Sequence, residues 1–284
     1  MSNALSTASQ RCSLRVLFVS DVYELDNWPR FLTAINELSE GHTIVCVPGD
    51  FLAPSLLASL DKSRGMIDCM NRCDVQFVCF GNHETDIPHD ELIKRIQESK
   101  FKWINSNMTD IDLKGIKLPE YEIIEVKGAG QTRKVGLLGL LTEDPALYRP
   151  GAFNGATITP VTEEAEKFQA KLTGEEGVDL VLPMTHQVIS LDRKFAEHFQ
   201  GKGIDNENAF PLVVAAHDHE PYQEEVGGCK ILKTGCDAKA VGVCDIVWPD
   251  PNSKKVEVTT LMLPIENFEP DAALQKIVDG HQSC

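Results

Sequence analysis

The first hundred residues alternate short apolar runs, polar tips and amphipathic segments, and that rhythm leaves few folds open. Residues 14–20 are mostly apolar with β-branched members and end at Asp21, as a buried strand does. Residues 29–39 follow with Phe31, Leu32, Ile35 and Leu38 at helical spacing. Residues 43–48 read as a second buried strand ended by Gly49-Asp50, and residues 55–74 as a helix. Residues 75–80 make a third strand ended by Gly81-Asn82-His83-Glu84, and residues 90–99 another helix. Strand, helix and strand in this order build a largely parallel sheet. Ligands of such α/β sheets gather beyond the carboxyl ends of the strands, where these polar tips fall.

The second half has a different texture. Residues 121–126 and 134–141 suggest a hairpin around a Gly-rich turn, and residues 162–172 a polar helix. Residues 178–183 form a strand whose tip carries Thr185-His186, with a helix at 191–199. A strand at 211–216 ends in His217-Asp218-His219. Residues 229–232, 240–247 and 255–263 read as antiparallel strands, and 271–280 as a short helix. No repeat or linker divides the 284 residues, and 42% are hydrophobic, enough for one large α/β core. The expectation is a flexible tail at 1–13 and a single domain at 14–284.

Composition narrows the partners. Against 27 basic residues stand 43 acidic ones, a formal charge of −16 that repels nucleic acid polymers and anionic membranes. It does not exclude a small phosphate ester, because bound divalent cations invert the local field. No apolar run is long enough to cross a bilayer, and the polar N-terminus lacks the apolar centre of a secretory signal. The nine cysteines are odd in number, and several sit in apolar runs, as Cys46 and Cys79 do. They read as reduced core thiols, and with the missing signal they imply a cytoplasmic location. Cys69 and Cys73 fall on one helical face, where packing is the simpler role.

The chemistry lies at the strand tips. Asp21, Asp50, Asn82, His186, His217 and His219 offer carboxylate, amide and imidazole donors, which suit hard or borderline divalent metals. Any one of them alone is an ordinary cap, turn or core residue. Five strand ends carrying ligand types together are not. Two ions about 3.5–4 Å apart would form a clamp for in-line displacement, with Asp50 the candidate bridge.

In this order the residues resemble the calcineurin-like metallophosphoesterases. Gly81-Asn82-His83-Glu84-Thr85-Asp86 is the most specific part. Residues 135–142, 178–186 and 232–235 are similar to the catalytic domain of 5′-nucleotidases and their cyclic-phosphodiesterase relatives. The resemblance spans residues 14–265 and implies a four-layer α/β/β/α sandwich of two mixed sheets with a dinuclear site between them. It implies that Asp50 bridges, that Asn82, His186 and His217 complete one site, and that Asp21 and His219 complete the other. The two divalent ions would be Mn, Mg, Zn, Co or Fe. His83 matches the family's catalytic histidine and would protonate the leaving oxygen, with Asp86 orienting it; Asn82 and His83 would also face the substrate phosphate. The implied activity is hydrolysis of small phosphomonoesters, nucleotides among them, by metal-activated water. Hydrolysis of small or cyclic diesters is the alternative, and a metal-binding scaffold and a protein phosphatase are two further ones.

Two residues depart from the family pattern. Its opening Asp-x-His reads Asp21-Val22-Tyr23 here, and the small residue before the paired histidines is Ala216 rather than glycine. Tyr23 could ligate as a phenolate, favouring trivalent iron. It could point away and leave a site with more water, the placement preferred because Asp21 and His219 remain. Or one metal could be lost. The nucleoside-holding second domain of such nucleotidases has no counterpart in residues 266–284, so nucleotide specificity is not carried over. Trp28, Tyr148, Arg149 and Phe153, in loop-like segments, are candidates for holding the organic part of a substrate.

Overall fold

The computed structural model describes residues 11–200 and 210–283. Its two six-stranded sheets stack face to face. The first contains β1 (Cys12–Phe18), β2 (His42–Val47), β3 (Phe77–Val78), β4 (Lys102–Trp103), β11 (Ala240–Trp248) and β12 (Glu257–Pro264), in the order β12-β11-β1-β2-β3-β4. The second contains β5 (Glu122–Gly128), β6 (Gln131–Leu141), β7 (Leu180–His186), β8 (Leu212–Ala216), β9 (Pro221–Val226) and β10 (Cys229–Thr234), in the order β5-β6-β7-β8-β10-β9. The strands β1 to β4 are mutually parallel, as are β6, β7, β8 and β10, while β5, β9, β11 and β12 pair antiparallel at the edges.

Period-2 alternation explains the layers. Along β1, Leu14, Val16 and Phe18 meet Leu137, Leu182 and Val214 of the facing sheet, while Leu17 turns to the helices. The helices α1 (Trp28–Leu38), α3 (Arg64–Arg72), α4 (His89–Glu98) and α7 (Ala272–Gln282) cover the first sheet through Phe31, Met70, Ile93 and Val278. The second is covered by α5 (Val161–Gly174) and α6 (Ile189–Gln200) through Phe168 and Phe195. This is the expected four-layer α/β/β/α sandwich.

Several local expectations are corrected. The single helix read over residues 55–74 is two, α2 (Leu56–Asp61) and α3, because Lys62 and Ser63 adopt positive φ. The Asp61 carboxylate accepts from the Ser63 and Gly65 amides, both at 2.7 Å, and so starts α3 afresh. The strand at 75–80 pairs only over Phe77–Val78, and β1 begins at Cys12, inside the expected tail. The strands at 229–232 and 240–247 lie in different sheets, the first parallel to β8. The edge strand β9 was not legible, since its acidic, half-exposed PYQEEV carries little apolar signal. Among the described residues the cysteines are free, and no helix is long and apolar enough to cross a membrane.

Candidate active site

The polar tips of both sheets converge at one end of the sandwich. Asp21, Asp50 and Asn82 lie just beyond β1, β2 and β3; His186 ends β7, and His217 follows β8. Donor atoms of Asp50, His186 and His217 fall within 4.8 Å of one another, and so do those of Asp21, Asp50 and His219. Asp50 belongs to both groups.

Backbone strain accompanies this convergence. Asp21, Asp50 and His217 sit at φ of 52°, 56° and 96°, a region L-residues adopt only when their surroundings hold them. Glu84 is one such hold: it is buried, and its carboxylate accepts from the amides of Asp50 (2.9 Å), Phe51 (2.8 Å), Leu52 (3.2 Å) and Gly81 (2.5 Å). One side chain thereby ties the β2 and β3 tips together. Gly81 is required between them, because a Cβ there would lie 2.1 Å from Asp50 Oδ1. Asp50 Oδ1 accepts from the His83 amide at 2.8 Å, and both Asp21 carboxylate oxygens accept from the His217 amide at 3.1 Å.

The donor set fits a cation. His186 Nδ1 lies 2.8 Å from the Pro48 carbonyl, which only accepts, so the Nδ1 proton is committed there. In the neutral ring the Nε2 lone pair then faces Asp50 Oδ2 at 3.1 Å and Asn82 Oδ1 at 3.2 Å. His217 Nδ1 faces the same Asn82 oxygen at 2.9 Å. The His186 lone pair this close to two oxygens repels them unless positive charge lies among them, and a histidine fixed through its other nitrogen by a carbonyl is a typical metal ligand. In the apo protein a proton meets the same demand. Burial opposes charge on His186, but Asp50 and Asp21 outweigh it and raise its pKa to about 9. Burial likewise pushes Asp50 up, yet His186 and His83 leave its carboxyl below the ordinary range. Asp21 is raised to about 7 by burial, and His217 is lowered to about 4 by burial and the neighbouring His186 charge.

Tyr23 does not point away as preferred from sequence. Its hydroxyl donates to Asp50 Oδ2 at 3.1 Å and lies 2.8 Å from His219 Nε2, between two members of the second donor group. Burial first, and then the Asp50 and Asp21 charges, raise its pKa and keep the phenol neutral. His219 is half-exposed, its Nε2 3.9 Å from Asp21 Oδ1, so this group is looser than the first. The Tyr23 ring stands edge-on to His83 and His219, with centroids 6.0 and 5.3 Å away.

His83 Nδ1 lies 2.6 Å from Asp86 Oδ2, so the two side chains expected to act together are hydrogen-bonded. Arg149 Nη2 lies 3.3 Å from the other Asp86 oxygen, and its exposed side chain is the only one of the four organic-part candidates to reach this pair. Trp28 and Phe153 are corrected to core residues. Trp28 is fully buried with its indole N–H on Met66 Sδ, and Phe153 packs against Phe80. Tyr148 is half-buried and commits its hydroxyl to the Thr142 carbonyl. Sequence reasoning missed Asp237, whose carboxylate accepts from the Tyr23 amide at 3.1 Å and whose own amide donates to the Asp21 carbonyl at 3.0 Å. No spacing signal marked it, because it lies more than two hundred residues from the loop it holds.

A model of the calcineurin-like phosphoesterase family matches residues 14–221. The chain belongs to that family. It is 28% identical over 200 residues to a 5′-nucleotidase of Vibrio vulnificus, covering 66% of this chain and 35% of that one. To a 2′,3′-cyclic-nucleotide 2′-phosphodiesterase/3′-nucleotidase of Salmonella typhimurium it is 27% identical over 158 residues, 51% of this chain and 24% of the other. The chain thus spans about a third or less of the length of these relatives. The family fold is seen in the calcineurin-like phosphoesterase YfkN of Bacillus subtilis, with a TM-score of 0.78 at 16% identity over 96% of this chain and 97% of that one.

Proposed function

We propose that the protein is a metal-dependent hydrolase of small phosphomonoesters, nucleotides among them, built as one domain over residues 14–284. The observation that carries this reading is the convergence of Asp50, Asn82, His186 and His217 beside a hydrogen-bonded His83–Asp86 pair. These four residues would hold one divalent ion, and Asp21, Asp50 and His219 a second, weaker one. Bound ions of this kind activate water and neutralise charge on phosphoryl oxygens. The protein's own residues orient and protonate. Asp86 accepts a hydrogen bond from His83 Nδ1–H, which leaves Nε2 as the ring nitrogen to carry a proton to the leaving oxygen. Arg149 lends positive charge above the same pair. Seven buried, unpaired thiols among the described residues support a reducing, cytoplasmic setting.

The test is metal content by elemental analysis, together with hydrolysis of an aryl phosphomonoester and an aryl phosphodiester under added Mn²⁺, Mg²⁺, Zn²⁺ or Co²⁺. Preference for the diester would move the assignment toward the activity that the name of the Salmonella relative describes. Absence of both metal and turnover would leave a scaffold. His83→Ala is expected to lower turnover about 10²-fold or more with metal content unchanged, since its ring stands outside both donor groups. Full turnover in that variant, with metal bound, would take the proton-donor role away from His83.

Tyr23→His is expected to tighten the second site. An imidazole replaces a hydroxyl already engaged by Asp50 and His219, and turnover should rise about tenfold, as for 1.4 kcal/mol of barrier. Calorimetric titration with Mn²⁺ reads the change. A loss of the second ion instead would make the Tyr23 oxygen a ligand in its own right.

A further inference from the structure

Lys233 is fully buried in β10, and its ammonium has four partners. It donates to the carbonyls of Gln187 at 2.6 Å and Ala216 at 2.7 Å. It also pairs with the Asp192 carboxylate at 2.8 Å and with the Asp218 carboxylate. Gln187 follows His186, Ala216 precedes His217, and Asp218 separates His217 from His219. One cation is therefore bonded to the chain neighbours of three candidate metal ligands. We propose that Lys233 is a positioning residue that sets the spacing of His186, His217 and His219 for metal binding.

The energetics favour positioning over bulk stability. A buried ion pair seldom stabilises more than an apolar replacement of the same shape, because desolvation offsets the attraction. What a buried ammonium does supply is fixed geometry at several points at once. His217 needs such fixing, since it holds a φ of 96°. Its amide is held by Asp21, and the peptide carbonyl before it and the carboxylate after it are both held by Lys233. Asp192 completes the clamp from α6, its second oxygen accepting from Thr185 Oγ1 at 2.7 Å and Gln187 Nε2 at 2.9 Å. The clamp thus links β10, the β7 tip, the β8 tip and α6.

This inference rests on the reading of the three histidines as ligands, and its test separates the two. The full chain, stripped with chelator, is titrated with Mn²⁺ by calorimetry, and the melting temperature of the metal-free protein is recorded beside it. Lys233→Met should weaken Mn²⁺ binding roughly 10- to 100-fold and lower kcat more than it changes KM, with Lys233→Arg restoring part of both. Because Lys233→Met strands Asp192 in the core, Asp218→Ala is the variant that decides if the first fails to fold. It cuts the clamp at its more exposed end and leaves the Lys233–Asp192 pair in place. It should weaken Mn²⁺ binding about tenfold without moving the metal-free melting temperature. Wild-type affinity and kcat in the folded variants would overturn the role of Lys233 alone. No Mn²⁺ uptake by the wild type would remove the ligand reading and this inference together.

Discussion

Asp50→Asn is expected to abolish hydrolysis, with a loss on the order of 10³-fold or more, and to empty the site of metal. Asp50 is the residue shared by both donor groups, so its charge is the one that would face both ions. Its two oxygens are also committed differently. Oδ1 accepts from the His83 amide, while Oδ2 faces His186 Nε2 and the Tyr23 hydroxyl. An amide of the same shape satisfies only one side. Turned one way, its NH₂ meets the His83 N–H; turned the other, it points two hydrogens at the place a cation would occupy. The variant also deprives buried His186 of the carboxylate that chiefly holds its positive charge in the apo protein. Elemental analysis and turnover, measured on the same preparation, check this. Two ions per chain and near-wild-type turnover in the variant would show that Asp50 is not the shared ligand.

The layers and the tip residues were legible because they are encoded locally. Each buried strand announces itself by an apolar run, and each candidate ligand stands within four residues of a strand end, as Asp50 does after Val47 and Asn82 after Val78. The site is less legible where it depends on residues distant in sequence. Glu84 stood in the motif, but its four backbone partners come from two tips some thirty residues apart. Lys233 and Asp237 act on loops that only the folded sheets bring near them. The direction of Tyr23 was misread for a related reason. An outward placement was preferred because Asp21 and His219 remain as ligand types, whereas the local backbone, held by Asp237, directs its hydroxyl inward. Trp28 and Phe153 were misplaced because a large aromatic beside a Pro- or Gly-containing stretch looks exposed when its packing partners are unknown.

Glu84→Gln is expected to destabilise the fold by about 2–4 kcal/mol and to loosen both carboxyl-end loops. The substitution keeps the volume, so no cavity term enters. It changes what four buried N–H groups meet. Oε1 accepts from Phe51 and Leu52 and Oε2 from Asp50 and Gly81, so whichever position the NH₂ takes, two backbone donors face another donor. Each buried donor left without an acceptor costs about 1–3 kcal/mol. An opposing effect keeps the total below the sum of two full penalties. Burial and the Asp50 charge push the Glu84 carboxyl above its ordinary pKa, so removing its charge relieves some repulsion. The four bonds prevail, because they also hold Asp50 at its positive φ, and a tip released from that strain no longer presents its carboxylate to His186. Chemical denaturation with urea measures the loss, and metal content measures the loosening. Wild-type stability with metal retained would mean that the Gly81 and Asp50 tips keep their conformation without Glu84, and that the buried carboxylate joining them is dispensable.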